Sequence, residues 1–294
     1  MAQAAVKEAP FQNSLRRMLN DDDKNCQLLV AAYKEAATCA QKNILVEDHV
    51  LEFDPNFFNK VEKGIADLNK VDRQILVIGE SSAGKSSFLN LLLERKVLPQ
   101  RAAPCTRCFC CIKKGPNLEA HITSFGCSTP SKIINGNDMT DEEFRDELEG
   151  LMNADNCLQA LDRCIDVFVP SNILQDKVYL VDSAGFGESE QITRSLVKYL
   201  PKAIGIIFIL NSTVGLGISE DRGALILDEI KLLAKKGDIP SFDPRQVVFI
   251  ANKWDQIDKT ERKDHQKKMI KKLETSWPNF QEDQLLPLSV NYVS

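Results

Sequence analysis

The stretch that decides the fold is GESSAGKSSFLNLLLERKVLP, residues 79–99. Its first eight residues fit G-x-x-x-x-G-K-[ST] at Gly79, Gly84, Lys85 and Ser86. The context is that of a phosphate-binding loop. The β-branched run RQILVIG ends at Gly79, and the apolar run SSFLNLLL follows Lys85, so the order is strand, loop, helix. Glycines let successive backbone N–H groups turn inward around an anion. The helix N-terminus adds its partial positive charge. The expected phosphate cradle is therefore Gly79 and the run Ser81, Ser82, Ala83, Gly84, Lys85, Ser86 and Ser87. Lys85 is expected to reach the β- and γ-phosphates. The Ser86 hydroxyl is a hard oxygen ligand suited to Mg²⁺.

The loop does not choose the base. FIANKWD, residues 249–255, does. Asn252, Lys253 and Asp255 follow a buried run as N-K-x-D. An aspartate that accepts from the ring N–H and exocyclic amine of guanine rejects adenine, which lacks that donor pair. Lys253 can lay its alkyl stem along the base plane. In LLPLSV, Ser289 follows a short strand and could meet the guanine carbonyl. Between the two motifs lies VYLVDSAGFGE, where Asp182 begins D-x-x-G at a strand end. Asp182 is expected to hold Mg²⁺ through water, and the Gly185 N–H to meet the γ-phosphate. Loss of that phosphate would then move the following segment.

From residue 70 onward, strand and helix patterns alternate. Strands are expected at 73–78, 166–169, 177–182, 204–210, 246–251 and near 285–288. Helices are expected at 85–94, 140–152, 190–199, 220–236 and 259–275. Alternation of this kind predicts a mostly parallel α/β sheet with helices on both faces. Before it, residues 1–20 carry no strong period and are expected to fray. DDDKNCQLLVAAYKEAATCAQKN, residues 21–43, reads as a helix whose Leu28, Leu29, Ala32 and Ala36 share a face. A second helix is expected from Asp54-Pro55, carrying Phe57, Phe58, Val61, Ile65 and Leu68. The domains expected are a helical segment over 1–69 and a GTP-binding domain over 70–294.

The ordered motifs resemble the GTP-binding domains of the translation-factor and Ras-like class. Three further features resemble dynamin-like large GTPases, with a bacterial dynamin-like and mitofusin flavour. SSAGKSSFLNLLL…VLP is similar to their phosphate loop and following helix. PCT at 104–106 sits where the family carries its switch threonine. The gap from Thr106 to Asp182 is long and holds an extra helix, MTDEEFRDELEGL, and a strand. The resemblance covers about residues 60 to 290. It implies a Mg²⁺-dependent GTPase fold, hydrolysis of GTP to GDP and phosphate, pairing of two such domains, and membrane remodelling. It also implies a metal set of Ser86, Thr106 and Asp182, and a helical neck before the domain.

The hydrolytic device departs from two patterns. Ras-type proteins orient water with a glutamine after D-x-x-G; here Phe186 stands there, and a phenyl ring holds no water. The dynamin resemblance implies a glutamine at position 81 and a serine at 82, but Ser81 is short. The expected catalytic group is therefore Ser82, Lys85, Thr106 and Gly185, with help from a partner domain or a monovalent cation. The other reading is a slow GTP-dependent switch or scaffold that acts through protein partners.

Composition narrows the classes. The 294 residues carry a net charge of −5, so no global basic field recruits nucleic acid. The N-terminus lacks a signal-peptide pattern. The longest apolar run, AIGIIFIL at 203–210, is far below the roughly 18 residues of a membrane span. Nine cysteines, an odd number, point to a reducing compartment. The expected address is cytoplasmic, at most peripheral to a membrane through regions outside this chain, of which it is expected to be a fragment. CTRCFCC, with Cys105, Cys108, Cys110 and Cys111, is read as buried thiols rather than zinc ligands. The lysine-rich KTERKDHQKKMIKKLE is read as a solvated helix face, with His265 an exposed bystander. His49 and His121 carry no partner pattern.

Overall fold

The computed structural model describes residues 9–42, 44–70, 73–100, 109–124, 129–153, 163–171, 174, 178–183, 199–200, 203–214, 228, 230, 232, 244–277 and 279–290. The chain divides into two compact units: Leu15–Asp72, and Arg73–Ser294 together with Met1–Ser14. Element labels below run over the described residues.

Three helices lead: α1 (Ala9–Gln41), α2 (Ile44–Phe53) and α3 (Phe57–Lys70). α1 begins at Ala9, so the expected fraying is corrected for residues 9–20, while residues 1–8 lie outside the described residues. α2 was not expected at all. Asp54 does cap the next turn, accepting from the Asn56 N–H at 3.2 Å and from Lys60 at 2.8 Å. Gly64 lets α3 approach α1, since a Cβ there would lie 3.1 Å from the Tyr33 ring. The face carrying Leu28 and Leu29 is not a core face: they are 60% and 50% exposed.

The sheet unit is built on nine strands: β1 (Arg73–Gly79), β2 (Phe109–Lys114), β3 (Glu119–Ser124), β4 (Lys132–Asn135), β5 (Arg163–Val169), β6 (Val178–Asp182), β7 (Ala203–Asn211), β8 (Val247–Asn252) and β9 (Leu285–Pro287). The spatial order is β4-β3-β5-β2-β6-β1-β7-β8-β9. β6, β1, β7, β8 and β9 run parallel. β2 enters antiparallel to β6 and parallel to β5, and β3 and β4 finish that edge antiparallel. The mostly parallel α/β sheet expected from the alternation is what forms. β1 and β8 are apolar almost throughout because both faces of a central parallel strand are buried.

α4 (Lys85–Leu93), α5 (Asp141–Asn153) and α6 (Arg262–Ser276) are the described helices of this unit with full bounds. α5 starts in a capping box: the Thr140 hydroxyl accepts from the Glu143 N–H, and the Glu143 carboxylate accepts from the Thr140 N–H. α6 buries Met269 and Leu273 and turns most of its lysines outward. His265 is corrected from bystander to half-buried, its ring 5.7 Å edge-on to Trp254. His121 has a partner after all, Glu119 at 3.2 Å. The helix expected at 190–199 lies almost wholly outside the described residues. Of that expected at 220–236, residues 228, 230 and 232 are described, all helical.

Candidate nucleotide site

Parallel strands in register bring their C-terminal ends to one edge, which is where open α/β sheets bind ligands. Val77 pairs with Asp182, Gly79 with Ile209, and Asn211 with Asn252. β1 therefore delivers the glycine loop between Asp182 on one side and the N-K-x-D turn beyond β7 on the other.

The loop turns sharply. Ala83 N–H donates to the Glu80 carbonyl at 3.1 Å, with Ser82 at φ 59° and Gly84 at φ 97°. A left-handed serine is a strained residue, and its side chain is left exposed at the loop apex. Gly79 has no room for a side chain: a Cβ would meet the Ile209 carbonyl at 2.5 Å. Lys85 is buried and folds back over the loop, donating to the carbonyls of Gly79 at 3.0 Å and Glu80 at 3.1 Å. Ala83 is buried, whereas Ser81, Ser86 and Ser87 are half-exposed.

Ser86 donates to Asp182 Oδ2 at 2.8 Å. Asp182 is half-buried, and its other oxygen, Oδ1, is shut off from solvent without a hydrogen-bond partner. Burial pushes its carboxyl up to about 6, against the pull of the Lys85 charge and the Ser86 hydrogen bond. A buried carboxylate oxygen without a partner is costly unless a cation completes it. An orphaned oxygen beside a serine hydroxyl is a hard donor set of the kind Mg²⁺ takes.

At the other end, Asn252 is 3% exposed and works as a clamp. Its amide donates to the Ala83 carbonyl at 2.8 Å, and its oxygen accepts from the Val290 N–H at 3.2 Å. One side chain thus ties the phosphate loop to the segment that carries Ser289. Gly84 permits the contact, because a Cβ there would lie 2.4 Å from the Asn252 amide nitrogen. Lys253 stands at φ 60°, and Asp255 Oδ1 is buried without a partner. Trp254 N–H donates to Leu288 carbonyl at 3.1 Å, and Leu288 N–H to Ala251 at 2.8 Å, so half-buried Ser289 is stitched beside the turn.

Gly79, Ser81–Ser87, Asp182, Asn252, Lys253, Asp255 and Ser289 thus come to one edge of the sheet. Thr106, Gly185 and Phe186 lie outside the described residues. Sequence reasoning missed Ser212. It is fully buried at the end of β7, its N–H donates to the Asn252 carbonyl at 3.1 Å, and its hydroxyl has no partner. The available signal was its place just after a buried strand that ends at this edge.

The Dynamin family model matches residues 75–226, more than half of the chain. This chain belongs to the dynamin family. The match runs from β1 past the loop, Asp182 and β7. Two curated relatives fit the same family. The chain is 25% identical over 190 residues to the bacterial dynamin-like protein of Nostoc punctiforme, covering 63% of this chain and 25% of that protein. It is 24% identical over 145 residues to the transmembrane GTPase Marf of Drosophila melanogaster, covering 49% of this chain and 17% of that protein. The chain therefore spans a quarter or less of these relatives. Two solved chains from an oligomerised bacterial dynamin pair, described as sensing and tethering membranes over long range, are also similar. One has a TM-score of 0.49 at 18% identity and the other 0.48 at 15%, each covering 94% of this chain and 46% of that one. Among the described residues of this dynamin-family domain, no helix is long and apolar enough to cross a membrane.

Proposed function

We propose that this dynamin-family chain binds GTP with Mg²⁺ at the C-terminal edge of its sheet and hydrolyses it to GDP and phosphate. The observation that carries the reading is the Asn252 clamp, because it holds a phosphate cradle and a base-reading turn in one rigid frame. Asp255 Oδ1, buried and unpaired, supports guanine over adenine: a wrong base leaves that acceptor without its donors. Ser289 would bound the base on the other side. Lys253 would lie along the base plane with its stem.

Residues 79–87 would cradle the phosphates through backbone N–H groups, with Lys85 exchanging its two carbonyl partners for β- and γ-oxygens. Ser86 and Asp182 would hold Mg²⁺, with Thr106 as the expected third member. Bound there, the ion neutralises charge on the phosphate oxygens. Ser82, exposed at the strained apex, would orient the attacking water together with backbone near Thr106, and Gly185 N–H would meet the γ-phosphate. Facing of two such domains, with a monovalent cation, would supply the missing stabilisation and couple turnover to membrane remodelling.

Ser81 favours a second reading. Its hydroxyl is too short to bridge a phosphate oxygen and a water as a glutamine does, so the chain would be a slow GTP-dependent switch working through protein partners. The test is GTP turnover per molecule as protein concentration rises, with ATP as control and Lys85→Ala as blank. Under the first reading, turnover rises steeply with concentration and ATP is ignored. Tight GTP binding with flat, slow turnover supports the switch. Equal use of ATP, or turnover that survives in Lys85→Ala, overturns both.

A further inference from the structure

On the β4 side of β6, the interior strands β2 and β5 bring three ligand-type side chains together. The register sets Cys111 opposite Asp166 and Phe109 opposite Cys164, so Cys111, Cys164 and Asp166 share one face. Their donor atoms all lie within 4.8 Å of one another. The two sulfurs are 3.5 Å apart, and the Cys164 sulfur is 4.0 Å from Asp166 Oδ1.

We propose that Cys111, Cys164 and Asp166 form a binding site for a thiophilic divalent cation of the zinc type, separate from the Mg²⁺ set at the nucleotide edge. The obvious competitor is a disulfide, and the register opposes it. The two cysteines are diagonal, two residues out of step across neighbouring strands. Strands about 4.8 Å apart with a rise of about 3.3 Å per residue put their Cα atoms roughly 8 Å apart. Disulfides need Cα atoms within about 7 Å. β2 is hydrogen-bonded on both sides, to β5 and β6, so it cannot shift to close the gap. A cation spans what a bond cannot. Two thiolates each about 2.3 Å from zinc at a tetrahedral angle place their sulfurs roughly 3.8 Å apart, close to the 3.5 Å found.

The surroundings suit the charge. Two thiolates and a carboxylate carry three negative charges. A divalent cation and the Lys113 ammonium, 3.0 Å from Asp166, bring the cluster to neutrality. A carboxylate has lone pairs enough to keep Lys113 and take a metal. The Lys113 amine is further held over the Tyr179 ring at 5.2 Å. Phe109, opposite Cys164 in the register, stacks on the Tyr199 ring at 4.4 Å. Soft sulfur donors select zinc over Mg²⁺. Such a site would staple β2 to β5. It also lies one strand from the Mg²⁺ set, since Cys110 pairs with Asp182.

The test is Co²⁺ titration of the full chain under reducing conditions, followed by Zn²⁺ back-titration. The expected result is a sulfur-to-cobalt charge-transfer band that saturates at one equivalent and is abolished by Zn²⁺. The band should vanish in Cys164→Ala and persist in Cys110→Ser. Asp166→Asn keeps both thiols and guards against a folding artefact; it should weaken Zn²⁺ at least about tenfold in chelator competition. The proposal is overturned if no such band appears, or if it survives both Cys164→Ala and Asp166→Asn. It is also overturned if oxidised glutathione links Cys111 to Cys164 in the folded chain, which would make them a redox pair.

Discussion

Asp182 carries the largest tension in the site. Its Oδ1 is shut off from solvent, its Oδ2 accepts from Ser86, and desolvation raises the carboxyl from 3.8 to about 6. For an acid, a raised folded value means that the folded chain holds the proton more tightly than the unfolded one. Stability from this group is fully present below about 3.8 and is lost as pH rises through about 6. At one unit per ~1.4 kcal/mol, the ionised carboxylate costs the nucleotide-free protein about 3 kcal/mol at pH 8. Asp182→Asn removes that cost and can still accept from Ser86. The variant should therefore melt several degrees higher than the parent at pH 8 without nucleotide, with the gap closing as pH falls below about 6. It should also lose Mg²⁺-dependent GTP turnover. A variant that melts lower than the parent at pH 8 would mean that Asp182 stabilises the empty site and that its orphaned oxygen has a partner.

The elements show what a sequence carries locally. The expected strands 73–78, 204–210 and 246–251 form as β1, β7 and β8, because a long β-branched run buried on both faces has no other use. β3 and β4 were not individually expected. They are short edge strands with polar positions, held by pairing with β5 rather than by an apolar period. α1 was expected twelve residues too late, since much of its surface is exposed and no strong period marks its start. The loop, D-x-x-G and N-K-x-D were legible as motifs because each is contiguous. The Asn252 clamp and the Cys111–Cys164–Asp166 cluster were not, because partners 169 and 53 positions apart meet only through sheet register. The resemblance in FLN and VLP also gains a cause. Asn90 in α4 is buried, donates to the Leu98 carbonyl and accepts from the Leu98 N–H, both at 2.8 Å. It pins the chain that leaves the helix. Asn90→Ala strands both backbone groups in the interior and should cost about 2–4 kcal/mol, read as a lower midpoint in urea with an unchanged slope. A loss below about 0.5 kcal/mol would show that Leu98 finds other partners.

At the scale of the whole molecule, the site and the leading helices are separable claims. Every proposed nucleotide contact from Gly79 to Ser289 is reached after the chain enters β1 at Arg73, and none belongs to the helical unit Leu15–Asp72. The described part of the frame is fixed by sheet register and by Asn252, Ser86 and Leu288, all within Arg73–Ser294. Affinity for GTP should therefore be a property of the sheet unit, whereas any mechanical output needs a lever. A chain beginning at Arg73 should bind GTP within about twofold of the full chain, a difference of about 0.4 kcal/mol, measured by fluorescence of a labelled guanine nucleotide. If turnover is coupled to membrane remodelling as proposed, the same truncation leaves binding intact while it uncouples the two. A tenfold or larger loss of affinity in a truncated chain that still unfolds cooperatively would place the residues before Arg73, Met1–Ser14 of the sheet unit among them, in the energetics of the site. They would then be a part of the nucleotide frame and no longer a lever moved by it.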